Sequence, residues 1–204
     1  MAMNYRIYVD TGNAFAELPM PSAMSYGLQD ISSSNAGRTE STTMMKERLG
    51  KAPKINLTYA NRDTSVVTTA LALVASEYTN ILYQDLENGG VYTYGQFYRG
   101  DVTAEVYNGL LDIWSATKFS LIKRSGANGV PCLSHTTQTS TSASYSTSAL
   151  GTVANYTIIH REGGVIGLTL TATNTYAITP AAGAKGTIIF RNSSNETMIV
   201  EVDA

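Results

Sequence analysis

Cysteine, histidine and tryptophan are almost missing from this sequence, and each scarcity removes a class of function. The 204 residues include one cysteine, two histidines and one tryptophan. Cys132, being single, forms no intramolecular disulfide. Cys132, His135 and His160 lack a second ligand motif and make a poor metal site. Nothing in the Ser-rich surroundings of Cys132 would position a Cys–His nucleophile pair. Charge is also sparse. Lys, Arg, Asp and Glu make up 15% of the chain, well below the usual quarter. The net charge is −2, and the densest basic group is only Lys118, Lys123 and Arg124. That argues against a nucleic-acid interface built on a basic footprint, although a channel that nucleic acid merely traverses needs no such surface.

Other motifs are absent as well. No apolar run reaches membrane-spanning length. The opening residues, MAMNYRIYVDTGN, lack the basic region and long apolar run of a signal peptide. There is no G-x-x-x-x-G-K-[ST], no G-x-G-x-x-G and no G-x-S-x-G. Glu105 with Asp112, or Asp85 with Glu87, would be the paired carboxylates of a glycoside hydrolase. Carboxylates are common at strand ends, however, and sequence does not set their separation. The chain therefore reads as non-enzymatic, with no catalytic residue, cofactor or metal.

What remains is a β vocabulary. The hydrophobic fraction of 43% supports a core, and Thr, Ser, Gly, Tyr and Val dominate the rest. Alternation predicts strands over residues 4–9, 15–18, 22–31, 54–59, 80–86, 91–98, 102–107 and 110–122. A further extended segment from Met44 to Leu49 is ended by Gly50. Pro19 and Pro21 keep the 15–18 strand out of a central ladder. Glu87-Asn88-Gly89-Gly90 and Asn108-Gly109 read as hairpin turns. Arg99-Gly100-Asp101 reads as a turn between strands rather than an adhesion motif. Trp114, Phe119 and Leu121 are core candidates.

One helix stands out, near residues 64–78. Asp63 or Thr64 can cap it, and Val67, Ala70, Leu71, Val74 and Tyr78 form one apolar stripe. A sheet that buries one face needs a cover, and this helix is the evident lid. The polar stretch 31–42 (ISSSNAGRTEST) has no apolar period and reads either as a mobile loop or, the favoured reading, as a projecting arm ordered by a partner.

Composition shifts at residue 125. Residues 126–150 read as a Ser/Thr/Gly-rich linker or surface segment; from 134 to 148, eleven of fifteen residues are Ser or Thr. Residues 151–204, with a start possible near 130, carry short strands at regular spacing. They suggest a small β-sandwich, immunoglobulin-like or carbohydrate-binding-like. Tyr145, Tyr156 and Tyr176 there are either sugar-stacking platforms or ordinary sandwich residues.

Residues 26–32 (YGLQDIS), 43–48 (TMMKER), 55–59, 97–101 (FYRGD) and 118–122 (KFSLI), in this order and with the helix between Asp63 and Tyr78, resemble a known family. It is that of the small tail proteins of long-tailed bacteriophages, related to distal tail and tail-tube proteins. The resemblance covers residues 3–125. It implies a mainly β, tail-tube-like fold: a two-sheet sandwich or barrel with one flanking helix over residues 1–125. It further implies a homo-oligomeric ring, usually hexameric in that family, in the baseplate hub or distal tail. Genome DNA would pass through the lumen without specific contacts, and other tail or baseplate proteins would be partners. The location would be the virion, after assembly in the host cytoplasm, with no membrane. On this view Ser32, Ser33, Ser34, Asn35, Arg38 and Glu40 in the polar arm are oligomer contacts. The ring-forming reading also expects the N-terminal half to assemble without the C-terminal one. A major tail-tube protein with a decorating C-terminal domain is the near alternative. A module binding host-wall glycan through its C-terminal domain is the alternative of another class.

Overall fold

The computed structural model describes residues 5–32, 37–38, 44–45, 48–108, 110, 113–124 and 129–204. Eighteen strands and one α-helix make up the described chain. The first strands are β1 (Tyr8–Asp10), β2 (Phe15–Glu17), β3 (Ala23–Ser32), β4 (Gly37–Arg38), β5 (Met44–Met45) and β6 (Arg48–Asp63). After α1 (Thr64–Leu73) come β7 (Thr79–Asp85), β8 (Val91–Arg99), β9 (Thr103–Asn108) and β10 (Ile113–Lys123). The last are β11 (Val130–Pro131), β12 (Ser134–Gln138), β13 (Ala143–Ser146), β14 (Asn155–Glu162), β15 (Ile166–Ala172), β16 (Thr175–Pro180), β17 (Lys185–Arg191) and β18 (Thr197–Asp203). The fold is mainly β with antiparallel sheets, as expected, and no sheet closes into a barrel.

Two compact units emerge, and neither is continuous in sequence. The first takes Met1–Leu18, Asn80–Gly95 and Gly129–Ala204. The second takes Pro19–Thr79 and Gln96–Asn128. The first unit thus combines segments from both sides of the composition shift at residue 125.

The first unit has three sheets. One runs β2-β1-β7-β8 with β11 paired to β8. The second runs β12-β18-β17-β14 and the third β13-β16-β15. The second sheet lies between the other two, because its strands β17 and β18 are buried almost throughout. Ile189 and Ile199 join Tyr8, Phe15, Leu82, Tyr92 and Tyr94 in one core. Their chain neighbours Ile188, Phe190, Met198 and Val200 point the other way and pack with Leu150, Ile166 and Ile178. Successive side chains of a strand alternate in direction, so a run apolar at every position is covered on both faces. Each such fully buried side chain contributes about 1.5–3 kcal/mol.

The Ser/Thr-rich segment 134–148 forms part of this unit as ordered strand. β12 pairs with β18 in parallel, Ser134 opposite Met198 to Gln138 opposite Val202. β13 pairs with β16. Hydroxyl side chains suit exposed strand positions, which is why composition alone left a spacer open.

The second unit is organised on β6 and β10, paired from Ile113 opposite Asp63 to Ile122 opposite Lys54. β3 pairs with β6 from Ala23 opposite Thr58 to Ser32 opposite Arg48. The end of β8 and all of β9 lie along the opposite side of β10. Helix α1 buries Val67 and Ala70, and Val74 just beyond it. Ile55, Leu57, Tyr59, Phe119 and Leu121 are buried in the sheet. Tyr59 stacks on Phe119 with ring centroids 5.9 Å apart, and its hydroxyl donates to the Pro19 carbonyl at 2.7 Å. Trp114 is half-buried and donates from Nε1 to Thr64 Oγ1 at 2.7 Å.

Three sequence expectations need correction. Gly50 does not end a strand: β6 runs unbroken for 16 residues through Gly50 and Pro53. Pro53 is tolerated because β10 stops pairing at Lys54, leaving β6 with one partner strand there. The helix, in turn, ends at Leu73, so Tyr78 lies outside it, 41% exposed. Nor does Asp63 cap the helix with its side chain.

Candidate assembly surface

The second unit presents two strands with an open side. β9 pairs only with β10, and β3 only with β6, among the described strands. An edge strand carries unpaired N–H and C=O groups and is a template for another strand. β9 is short, carries Glu105, and shifts register twice against β10, yet it still offers apolar side chains to solvent. Val102 and Val106 are exposed, Val106 at 60%, and Leu110 beyond it at 97%.

The β3–β6 ladder also continues past the sheet. From Pro53 back to Arg48, β6 has β3 as its partner and no longer pairs with β10. The small pair β4–β5 sets Gly37 opposite Met45 and Arg38 opposite Met44. Of the arm residues named from the sequence, Ser32 ends β3 opposite Arg48, and Arg38 lies in β4. Ser33, Ser34, Asn35 and Glu40 lie outside the described residues.

Tyr145, Tyr156 and Tyr176 are brought together. All three rings surround buried Phe190, with centroids 5.7, 6.4 and 4.9 Å from it respectively. Tyr145 stacks on Phe190 at 13°. Tyr145 and Tyr176 are partly buried against the sandwich core, while Tyr156 is 49% exposed. Sandwich packing accounts for this arrangement, since Tyr145 stacks on Phe190 while Tyr156 and Tyr176 meet it tilted.

Among the described residues, no group of three or more His, Cys, Asp or Glu could hold a metal. The Cys132 thiol is buried and donates to the Ser134 carbonyl at 2.9 Å, and burial pushes its pKa up. Arg99 of the Arg-Gly-Asp triplet donates to the Leu71 carbonyl at the end of α1, at 3.3 Å. Gly100 N–H bonds to the Ser120 carbonyl at 2.8 Å, so the triplet is a connection between β8 and β9.

A charged network that the sequence reading missed sits inside the first unit. Arg161 lies where the β14–β17 ladder shifts register between His160 and Glu162, and such bulges re-aim a side chain. Its Nε reaches Glu17 Oε2 at 2.8 Å, Nη1 reaches Glu201 Oε2 at 3.1 Å, and Nη2 reaches the Tyr8 hydroxyl at 3.0 Å. Nη2 also contacts Thr187 Oγ1. Arg6 contacts the other oxygen of Glu17. The Tyr8 hydroxyl donates to Glu201 Oε1 at 3.0 Å, and Thr187 Oγ1 to Oε2 at 2.9 Å. Burial alone would raise the Glu201 pKa. His135, Arg161, Thr187 and Tyr8 together overcome it and bring it to about 2. His135 Nε2 stands 3.9 Å from Oε1, an ion-pair distance too long for a hydrogen bond, so the direct contacts weigh more. Burial drives the Tyr8 hydroxyl pKa far up, keeping it a proton donor. A second cluster has Arg191 Nη1 on Asp10 Oδ2 at 2.5 Å, an oxygen that also accepts from the Tyr94 hydroxyl at 2.5 Å. Satisfied on every side and enclosed, these groups hold strands together rather than present chemistry.

No protein-family model and no curated protein matches the sequence. Some solved structures overlay on it in part. One is the tail of an empty gene transfer agent particle with C6 symmetry: TM-score 0.39, 11% identity, 62% of this chain and 95% of that one. The virion of a native gene transfer agent particle gives TM-score 0.40 and 11% identity, over 63% of this chain and 97% of that one. The cap terminating the anti-feeding prophage tube gives TM-score 0.26 and 15% identity, over 59% and 85%. Overlays this loose carry no argument about family or function.

Proposed function

We propose that this chain is a structural component of a bacteriophage tail. Its copies join into a ring, hexameric by the family resemblance, in the baseplate hub or distal tail, around the channel through which the genome passes. The observation that carries this reading is the pair of open edges on one sheet, β9 and β3, the former with Val106 exposed. Two different edges of one subunit meet head to tail, and head-to-tail contacts close into rings when the rotation allows. The sequence resemblance over residues 3–125 supplies the tail setting and the virion location. On this reading Ser32, at the end of the β3–β6 ladder, and Arg38, in β4, would contact a neighbouring subunit or ring, and other tail proteins would bind the ring's faces. Stacking of the same rings into a tube, with residues 151–204 as decoration, is the near alternative.

Negative-stain microscopy of the purified full chain tests the reading. Rings or short tubes are the expected outcome. Val106→Lys places a charge on the apolar edge and is expected to leave a folded monomer by sedimentation velocity. Monomers alone across all protein and salt concentrations would overturn the ring.

A further inference from the structure

Tyr78 and Tyr98 differ from the tyrosines used for packing. Tyr8, Tyr59, Tyr83 and Tyr92 are fully buried, whereas Tyr78 and Tyr98 are each about 40% exposed. Both line one open cavity of about 390 Å³ in the second unit, together with Ala75, Ser76, Glu77 and Arg99. That volume falls within the range of small-molecule sites, roughly 300–1,000 Å³.

The walls are held in place. The Arg124 guanidinium lies 4.7 Å from the Tyr78 ring centroid and donates to Gln96 Oε1 at 2.9 Å. Arg99 is fixed by its bond to the Leu71 carbonyl at the end of α1. Tyr98 sits in the ladder opposite Ile122. Walls ordered in advance reduce the entropy cost of binding.

The lining selects a class of ligand. The Glu77 carboxylate borders the cavity and opposes an anion, while the guanidiniums of Arg99 and of Arg124 on the Tyr78 ring oppose a cation and already donate to the Leu71 carbonyl and Gln96 Oε1. Half-exposed aromatic rings beside hydrogen-bonding groups instead suit a neutral molecule with apolar faces and many hydroxyls. We propose that this cavity binds a neutral saccharide, as a mono- or disaccharide unit. Tyr78 and Tyr98 would lie against the C–H faces of the sugar. Glu77 would accept hydrogen bonds from its hydroxyls, and Arg99 would donate to them. An open site covers one side of its ligand, so the affinity is on the order of 1 mM. The inference does not depend on ring formation.

Saturation-transfer NMR on the full chain, with maltotriose, cellotriose and chitotriose tested separately, reads binding equally in monomers and rings. The expected result is saturation transfer to the C–H protons of at least one sugar, with a saturable titration. Binding should weaken about tenfold or more in Tyr98→Ala. Should that variant not fold, Glu77→Ala at an exposed position is expected to weaken binding likewise. The proposal is overturned by no transfer to any of the three sugars at tens of millimolar. It is equally overturned by unchanged binding in the folded variant, or by inorganic phosphate competing the sugar away.

Discussion

Glu201 shows how much of this protein's cohesion rests on single polar groups. Its folded pKa of about 2 lies below the ordinary value of 4.5. A carboxylate depressed in this way contributes stability that is complete above about pH 4.5 and is lost as pH falls towards 2. The shift corresponds to about 3 kcal/mol. Urea unfolding midpoints should therefore fall steeply across that window, and Glu201→Gln should flatten that part of the profile. Thr117 is the opposite case. Its hydroxyl is buried without a hydrogen-bond partner among the described residues. Thr117→Val removes an uncompensated polar atom at nearly constant shape and should raise stability by about 1 kcal/mol in the same assay. Neither role was visible beforehand. Glu201 interrupts the apolar run Met198-Ile199-Val200, and Arg6 lies between Tyr5 and Ile7, so charges inside apolar strands were the available signal. Glu17 and Arg161 meet across 144 positions of sequence, which no local pattern encodes.

At the level of elements, turn chemistry and alternation were legible because they are local. The strands from β7 to β10 and from β14 to β18 fall close to where alternation and turn residues put them. The burial of Val67, Ala70 and Val74 followed from helical spacing. The length of β6 did not, because pairing with β3 supports the strand across Gly50 and Pro53 where local propensity would stop it. The middle sheet of the first unit had a readable sign that was not used. Ile188-Ile189-Phe190 and Met198-Ile199-Val200 lack alternation, the mark of a strand covered on both sides. Glycines distinguish tight contacts from ordinary turns. Gly163 has φ +74°, and a Cβ there would stand 2.1 Å from the Gly183 carbonyl oxygen. Gly163→Ala should cost about 3 kcal/mol by thermal or urea unfolding, from conformational strain plus displacement of backbone. Gly89, at φ +70° with nothing within 4 Å of the same atom, should cost only about 1 kcal/mol when changed to Ala.

For the whole molecule, the consequence concerns where the chain can be cut. The composition shift at residue 125 invites truncation there, and a self-sufficient N-terminal half would assemble alone. The core of the first unit opposes this for part of that half. Tyr8, Phe15, Leu82, Tyr92 and Tyr94 are buried together with Cys132, Ile189 and Ile199. Asp10 and Tyr94 bond to one another, with Arg191 on the same Asp10 oxygen, and Glu17 is paired with Arg161. A chain of residues 1–125 would expose that apolar face and leave carboxylates without their cations. Hydrogen exchange on such a fragment should therefore show residues 5–18 and 80–95 unprotected. The ladder of β6 and β10, whose partners all lie before residue 125, should keep its protection. Full protection of residues 5–18 in the fragment would mean that the first unit's N-terminal strands hold together without the sheet containing β17 and β18.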